Sequence, residues 1–407
     1  MKPENSRLAF ARSPLLPSII AAVGIVACAR SAPTPAPSPT ASPSLVVLIV
    51  VDQLRADLLD RYADLYTGGF KRLRDEGHAY VNAAHDHAAT ETAVGHASLG
   101  TGVYPDKHGV IANGWMEFSG GRWVVVQSVD DSTVKIAGAP GRPGVSPAHN
   151  MRSTLAEWLV AANPVSQVAS VSGKDRGAVQ PVGHVKSAAV YWFDSPSQRF
   201  VTSTYYRPVD PAWITSFNTG LGRTHAADTV WSLRAPAAAL PRADADTLAF
   251  EADGVRTFFP HRFSAEGTAG DFWQWWEGTP ALDVATLEMS RAMVKSMGLG
   301  RDDAPDFLNI SLSATDRIGH RFGPLSREQL DNLLRLDREL GSFFAFLDST
   351  VGRNRWTVML TADHGVLDSP ENLAGRGEYG HRLTRAEVAT LDSLGARAGA
   401  AVDQRVG

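Results

Sequence analysis

The sequence predicts an α/β fold built on a mostly parallel sheet, and three runs of apolar residues carry that expectation. Leu45–Leu54, LVVLIVVDQL, Asp306–Leu312, DFLNISL, and Trp356–Thr361, WTVMLT, lack clean apolar–polar alternation. Runs of this kind are strands covered on both faces, as in the centre of a parallel sheet. Between them lie segments of helical periodicity. Each run also ends on acids or imidazoles: Asp52, then Asp316 with His320, then Asp363 with His364. A parallel sheet sets such strand ends on one edge, where ligands gather.

In chain order, Lys2, Arg7 and Arg12 precede a short apolar stretch, Leu15–Ala27, which reads as an export signal and is too short for a comfortable membrane span. It closes on Ile25-Val26-Ala27-Cys28, a resemblance to the lipobox of bacterial lipoproteins, so residues 1–28 are expected to act as a lipoprotein signal with the anchor on Cys28. An ordinary signal peptide cut near Ala27 or Ala29 is the alternative. The expected location is periplasmic, on the outer membrane. Cys28 is the single cysteine, which excludes an intrachain disulfide. Residues 29–44, rich in Pro, Ser and Ala, read as an extended tether.

Residues 45–407 form the expected catalytic domain, and 44% hydrophobic content supplies ample core for it. The net charge is −4, with no basic stripe or tail, so nucleic acid is not an expected partner. Arg55–Tyr66 and the KRLRDEG piece after Gly68-Gly69-Phe70 have helical spacing. Residues 152–163 form an amphipathic helix, and Gln167–Ser172 is a short strand leading into Gly173-Lys174-Asp175-Arg176-Gly177. From about 186 to 280 the periodicity is mixed, with a strand candidate at Ala188–Phe193, which reads as an insertion on the main sheet or a cap; its run Phe272-Trp273-Gln274-Trp275-Trp276 reads as packing. Ser326–Asp348 is a long helix opening on a Ser326/Gln329 capping box.

Mixed carboxylate and imidazole donors suit zinc, with manganese or another transition ion open on chemistry alone. Asp316 and His320 share a helix face at i and i+4 and can meet at one ion. Gly173-Lys174 is no P-loop, since neither a Ser/Thr nor the upstream glycine accompanies it.

The segments VVDQLRADLLDRY, GGFKRLRDEG, TETAVGHASLGTGVYPDKHGVIANGW, SGKDRGA, SATDRIGHRFGP and TADHG, in this order over about residues 45–370, resemble the alkaline phosphatase superfamily. They are most similar to its phosphate-irrepressible, single-domain bacterial members with a threonine nucleophile. Type I phosphodiesterases/nucleotide pyrophosphatases are related. The resemblance implies a three-layer sandwich and two Zn2+ ions, one among Asp52, Thr92, Asp363 and His364, the other at Asp316 and His320. It implies Thr92 as nucleophile, with His96 as marker of the motif and Thr90 as the competing threonine. It also implies Asn113, Lys174 and Arg176 on the phosphate oxygens. Two cations and an amide donor match a phosphate monoester, which is therefore the expected small-molecule substrate. A diesterase or pyrophosphatase of the same fold, and a non-catalytic surface lipoprotein, are the alternatives. Family members complete the Asp316/His320 site with a histidine well downstream. Here only His381 follows His364, so the second site is expected to be incomplete, with the usual C-terminal part missing.

Overall fold

The computed structural model describes residues 42–406 apart from 226, 247, 249, 252–256 and 264–268. The expected signal segment, Cys28 and most of the tether lie outside the described residues.

A six-stranded sheet runs through the middle of the protein. Its strands in chain order are β1 (Leu45–Val51), β2 (Val168–Ser172), β3 (Ala189–Asp194), β4 (Arg199–Val201), β5 (Asp306–Leu312) and β6 (Trp356–Thr361). In space they lie β6-β1-β5-β2-β3-β4, all parallel except the β3–β4 pair. Successive side chains on a strand point to opposite faces. In β1, Leu45, Val47, Ile49 and Val51 therefore enter one core, while Leu48 and Val50 enter the other. That double burial is why the run carries no polar alternation, and it makes three layers with the sheet in the middle.

The first core holds the helices Ala281–Met297 and Arg327–Leu347 and the aromatic run. Trp276 is fully buried there, and Phe272, Trp273 and Trp275 are nearly so, which is packing. The segment expected to insert from about 186 contributes β3 and β4 to the sheet itself. Every residue of β3, AVYWFD, is buried, so this stretch is core and the excursion from the sheet begins after Val201.

Two helix boundaries depart from the periodicity. The Arg55–Tyr66 expectation reduces to Ala56–Arg61, followed by turns. The buried carboxylate of Asp337 accepts from the amides of Thr67 and Gly68, at 2.7 Å each, and of Phe70 at 2.8 Å. These donors are satisfied from a distant helix, which caps the next one, Gly69–Glu76. A Cβ on Gly68 would collide with the Asp337 carbonyl, so this approach requires glycine. At the long helix, Ser326 accepts from the Gln329 amide, but the Gln329 side chain donates to the Thr315 carbonyl at 2.9 Å. Only half of the capping box forms; the other half ties the helix to Ala314–Phe322.

The strand ends are level. Val51 pairs with Leu312, Val50 with Thr361, and the Asp52 amide donates to the Leu312 carbonyl at 2.9 Å. Asp52 and Asp363 thus leave adjacent strands at one edge.

Candidate active site

Asp52 follows β1 directly and is fully buried. The next residue, Gln53, takes φ of 64°, a left-handed conformation rare for a side-chain-bearing residue. The turn aims the Gln53 amide at Asp363 Oδ1, 3.1 Å away, and its side-chain amide at Asp316 Oδ1, 2.9 Å away. Asp363 follows β6 by two residues, and Oδ1 also accepts the His364 amide at 3.0 Å. Asp316 and His320 lie one turn apart on Ala314–Phe322, with His320 Nε2 3.1 Å from Asp316 Oδ1.

These groups meet at Lys174. Its Nζ is 2.6 Å from Asp52 Oδ2, 2.6 Å from Asp316 Oδ2 and 3.3 Å from Thr92 Oγ1. His364 Nε2 lies 3.4 Å from Asp52 Oδ1 and 3.8 Å from Asp363 Oδ2. Among the described residues, Asp52, Asp316 and His364 bring ligand atoms within 4.8 Å of one another. Asp52 Oδ1 and Oδ2 and Asp363 Oδ2 are buried and receive no well-directed hydrogen bond, Lys174 approaching Asp52 and His96 approaching Asp363 as ion pairs only. Carboxylate oxygens so placed call for positive charge, and oxygen donors with an imidazole suit a divalent ion such as zinc. The cluster is a candidate metal site.

The electrostatics agree. Burial alone would raise the Asp363 carboxyl, but His96, His364 and Lys174 hold it down at about 2. Burial and the neighbouring Asp52 push Asp316 upward, while His320 and Lys174 prevail and lower it. Burial would lower the His364 imidazole, yet Asp52 and Asp363 lift it to about 9.

Thr92 is the first residue of the helix Thr92–Thr101 and is 2% exposed. Thr90 is exposed and precedes the helix, so the two threonines are separated by position. Asn113 Oδ1 accepts from the Ala93 amide at 2.9 Å, and the Asn113 amide donates to Glu91 Oε2 at 2.5 Å. Asn113 therefore adjoins the first turn of the Thr92 helix and occupies one of its amides. Arg176 lies just past Lys174 with Nη1 3.6 Å from its neighbour Asp175, outside the lysine–carboxylate contacts. His381 is paired with Glu387 at 3.1 Å on an exposed segment and does not join the cluster.

Gln53 and Asp283 escaped the sequence reading. Asp283, buried in the helix Ala281–Met297, accepts from the Ala314 amide at 3.0 Å and so caps the helix bearing Asp316 and His320. Burial raises its carboxyl to about 7. For Gln53 the signal was its place after Asp52; for Asp283 there was none.

A parallel sheet with acids, imidazoles, a lysine and a helix-initial hydroxyl at one edge defines an α/β protein of alkaline-phosphatase-like fold. The chain belongs to the type I phosphodiesterase/nucleotide pyrophosphatase family, which it matches over residues 46–406. It is 38% identical to alkaline phosphatase PhoV of Synechococcus elongatus, over 87% of this chain and 64% of that protein. It is 36% identical to alkaline phosphatase PafA of Elizabethkingia meningoseptica, over 80% of this chain and 60% of that one. The crystal structure of wild-type PafA superposes with a TM-score of 0.77 at 35% identity, covering 83% of this chain and 65% of PafA. The chain thus spans somewhat under two thirds of the length of these relatives.

Proposed function

We propose that this chain hydrolyses phosphate monoesters with two zinc ions, through a phosphothreonine at Thr92. The observation that carries the reading is the convergence of Asp52, Asp316, Asp363, His364 and Lys174 beside the Thr92 hydroxyl. The alkaline phosphatase names of its relatives support it. So does a solved PafA variant substituted at a threonine, an asparagine, a lysine and an arginine separated by 21, 62 and 2 residues. Thr92, Asn113, Lys174 and Arg176 are separated by 21, 61 and 2.

Asp52, Asp363 and His364 would hold one zinc near Thr92, and Asp316 with His320 the other. Bound zinc ions neutralise developing charge on phosphate and lower the pKa of a coordinated hydroxyl. The Thr92 hydroxyl, at the start of a helix, gives up its proton and attacks phosphorus in line; the P–O bond to the alcohol breaks as the P–Oγ bond forms, and the departing alkoxide takes a proton from water. Water then attacks the phosphothreonine, releasing phosphate and restoring the hydroxyl. With divalent charge balancing Asp52 and Asp316, the Lys174 ammonium would be free to turn to a non-bridging oxygen. Arg176 and the Asn113 amide group supply the remaining contacts. A monoester leaves those oxygens free for the Lys174/Arg176 pair, whereas a diester replaces one with a bulky group.

Turnover of an aryl phosphate and of its methyl diester by the zinc-loaded chain tests this reading. Faster monoester hydrolysis is expected. Preference for the diester would assign the chain to phosphodiesterase chemistry, and no turnover of either would overturn catalysis.

A further inference from the structure

Beneath the site runs a series of buried polar contacts that the proposed chemistry does not use. His96 is completely buried, with Nδ1 2.9 Å from the Thr92 carbonyl oxygen and 3.1 Å from Asp363 Oδ2. Both neighbours can only accept, so Nδ1 carries a proton. Nε2 lies 2.9 Å from Ser311 Oγ at the end of β5. Ser311 Oγ is 3.0 Å from Ser172 Oγ at the end of β2, and Ser172 Oγ accepts the Lys174 amide at 3.0 Å. The contacts run unbroken from the lysine's backbone to Asp363 and join four separate segments. Ser172, Ser311, His96 and Asp363 are all 0% exposed, so water cannot replace a missing link without entering the core.

Two glycines make the space. At Gly95 a Cβ would overlap the Asp363 carbonyl, so the Thr92 helix reaches Asp363 only with glycine there, and His96 beside it then meets the carboxylate. A Cβ at Gly177 would stand 2.5 Å from Ser311 Oγ and 2.6 Å from Ser172 Oγ. The Gly-His pair of the nucleophile motif thereby acquires a physical reason.

We propose that His96 is a positioning residue which, through Ser311 and Ser172, ties the Asp363 carboxylate, the first turn of the Thr92 helix and the Lys174 turn into one unit. What the unit positions rests on the phosphatase reading; its existence does not. A buried histidine that merely fills core space would tolerate either amide replacement equally. A positioning histidine would not, because an Asn side-chain nitrogen falls near Nδ1 and a Gln nitrogen near Nε2.

The test compares the parent with His96→Asn, His96→Gln and Ser311→Ala, reading zinc affinity by chelator competition and inhibition by inorganic phosphate. His96→Asn, which keeps the contact to Asp363, is expected to hold zinc within about threefold of the parent, and His96→Gln to lose about 10–100-fold. Ser311→Ala should leave zinc affinity nearly unchanged while weakening phosphate inhibition by about tenfold, the scale of one hydrogen bond. In the metal-free parent with 15N-labelled histidine, the His96 Nδ1 proton should exchange slowly, and Ser311→Ala should move the Nε2 resonance. Equal zinc affinity in the Asn and Gln variants, or the absence of a protected ring proton, overturns the proposal. If a His96 variant does not fold, the metal-free resonances of the parent and Ser311→Ala decide it. A parent with the protected proton but no zinc binding or turnover would sink the phosphatase reading and leave the unit standing.

Discussion

Asp363 and Asp316 stand on either side of the cluster and are held in different ways. Asp363 takes two backbone amides, from Gln53 and His364, and leans on the fully buried His96. Asp316 is held by side chains alone: Gln53, Lys174 and His320, whose own side chain is 68% exposed. Backbone donors fixed by a sheet edge do not move, whereas a lysine stem and an exposed imidazole do. One half of the site is therefore shaped by the fold before any ion arrives, and the other is shaped by its occupants.

The sharpest way to break this comparison is to remove each carboxylate in turn. Asp363→Ala strips the acceptor from buried donors, which should cost roughly 2–5 kcal/mol of stability by denaturant unfolding, together with nearly all turnover. Asp316→Ala leaves Lys174 its partner Asp52, so a clearly smaller loss is expected. Equal destabilisation would dissolve the distinction.

Lys174→Ala comes next, and its sign depends on the ions. Without zinc it leaves Asp52 and Asp316 facing each other without the ammonium, so the melting temperature should fall; with zinc bound it should fall much less. On monoesters the variant should lose about 2–4 kcal/mol of transition-state stabilisation, as for one preorganised donor. Equal loss on monoesters and diesters would count against its place on the phosphate oxygens.

A smaller effect is expected from His320→Ala. Its exposure keeps the stability change within about 0.5 kcal/mol, while equilibrium dialysis should show the more weakly held zinc lost. Loss of the zinc beside Asp363 instead would reverse the assignment of the two halves.

The smallest effect lies outside the cluster. Glu251 is fully buried, and burial with the nearby Glu328 raises its carboxyl to about 8. A raised folded-state pKa gives stability that is present below the usual value near 4.5 and lost as pH rises through about 8. The parent's melting temperature should fall over that window, and Glu251→Gln should flatten the fall. An unchanged profile would show that Glu251 titrates normally.

The same contrast governs what could be read from sequence. The double burial of β1 and β5 writes itself into unbroken apolar runs, so those strands, and the acids just beyond them, were legible. β6 was legible as a strand too, but it is the edge of the sheet, with Thr357 and Met359 exposed, and is not covered on both faces as its apolar run suggested. The resemblance singled out Thr92, and the structure places it at the start of a helix. Contacts spanning long sequence separations were not legible. Asp337 capping the Gly69–Glu76 helix and Asp283 capping the Asp316 helix leave no local pattern. The conformation of Gln53 is set by tertiary structure, and the strand at Ala188–Phe193 was legible as a strand, while the mixed periodicity around it hid that it belongs to the main sheet. His96 was visible only as a motif letter; its partner Ser311 lies on another strand.

The most direct test of the central claim is a chemical trap. The zinc-loaded chain, quenched in acid during turnover of an aryl phosphate and digested, should carry one phosphoryl group on the hydroxyl of Thr92. The label should vanish in Thr92→Ala and persist in Thr90→Ala. Turnover with the label on another residue, or with no labelled threonine, would contradict the account.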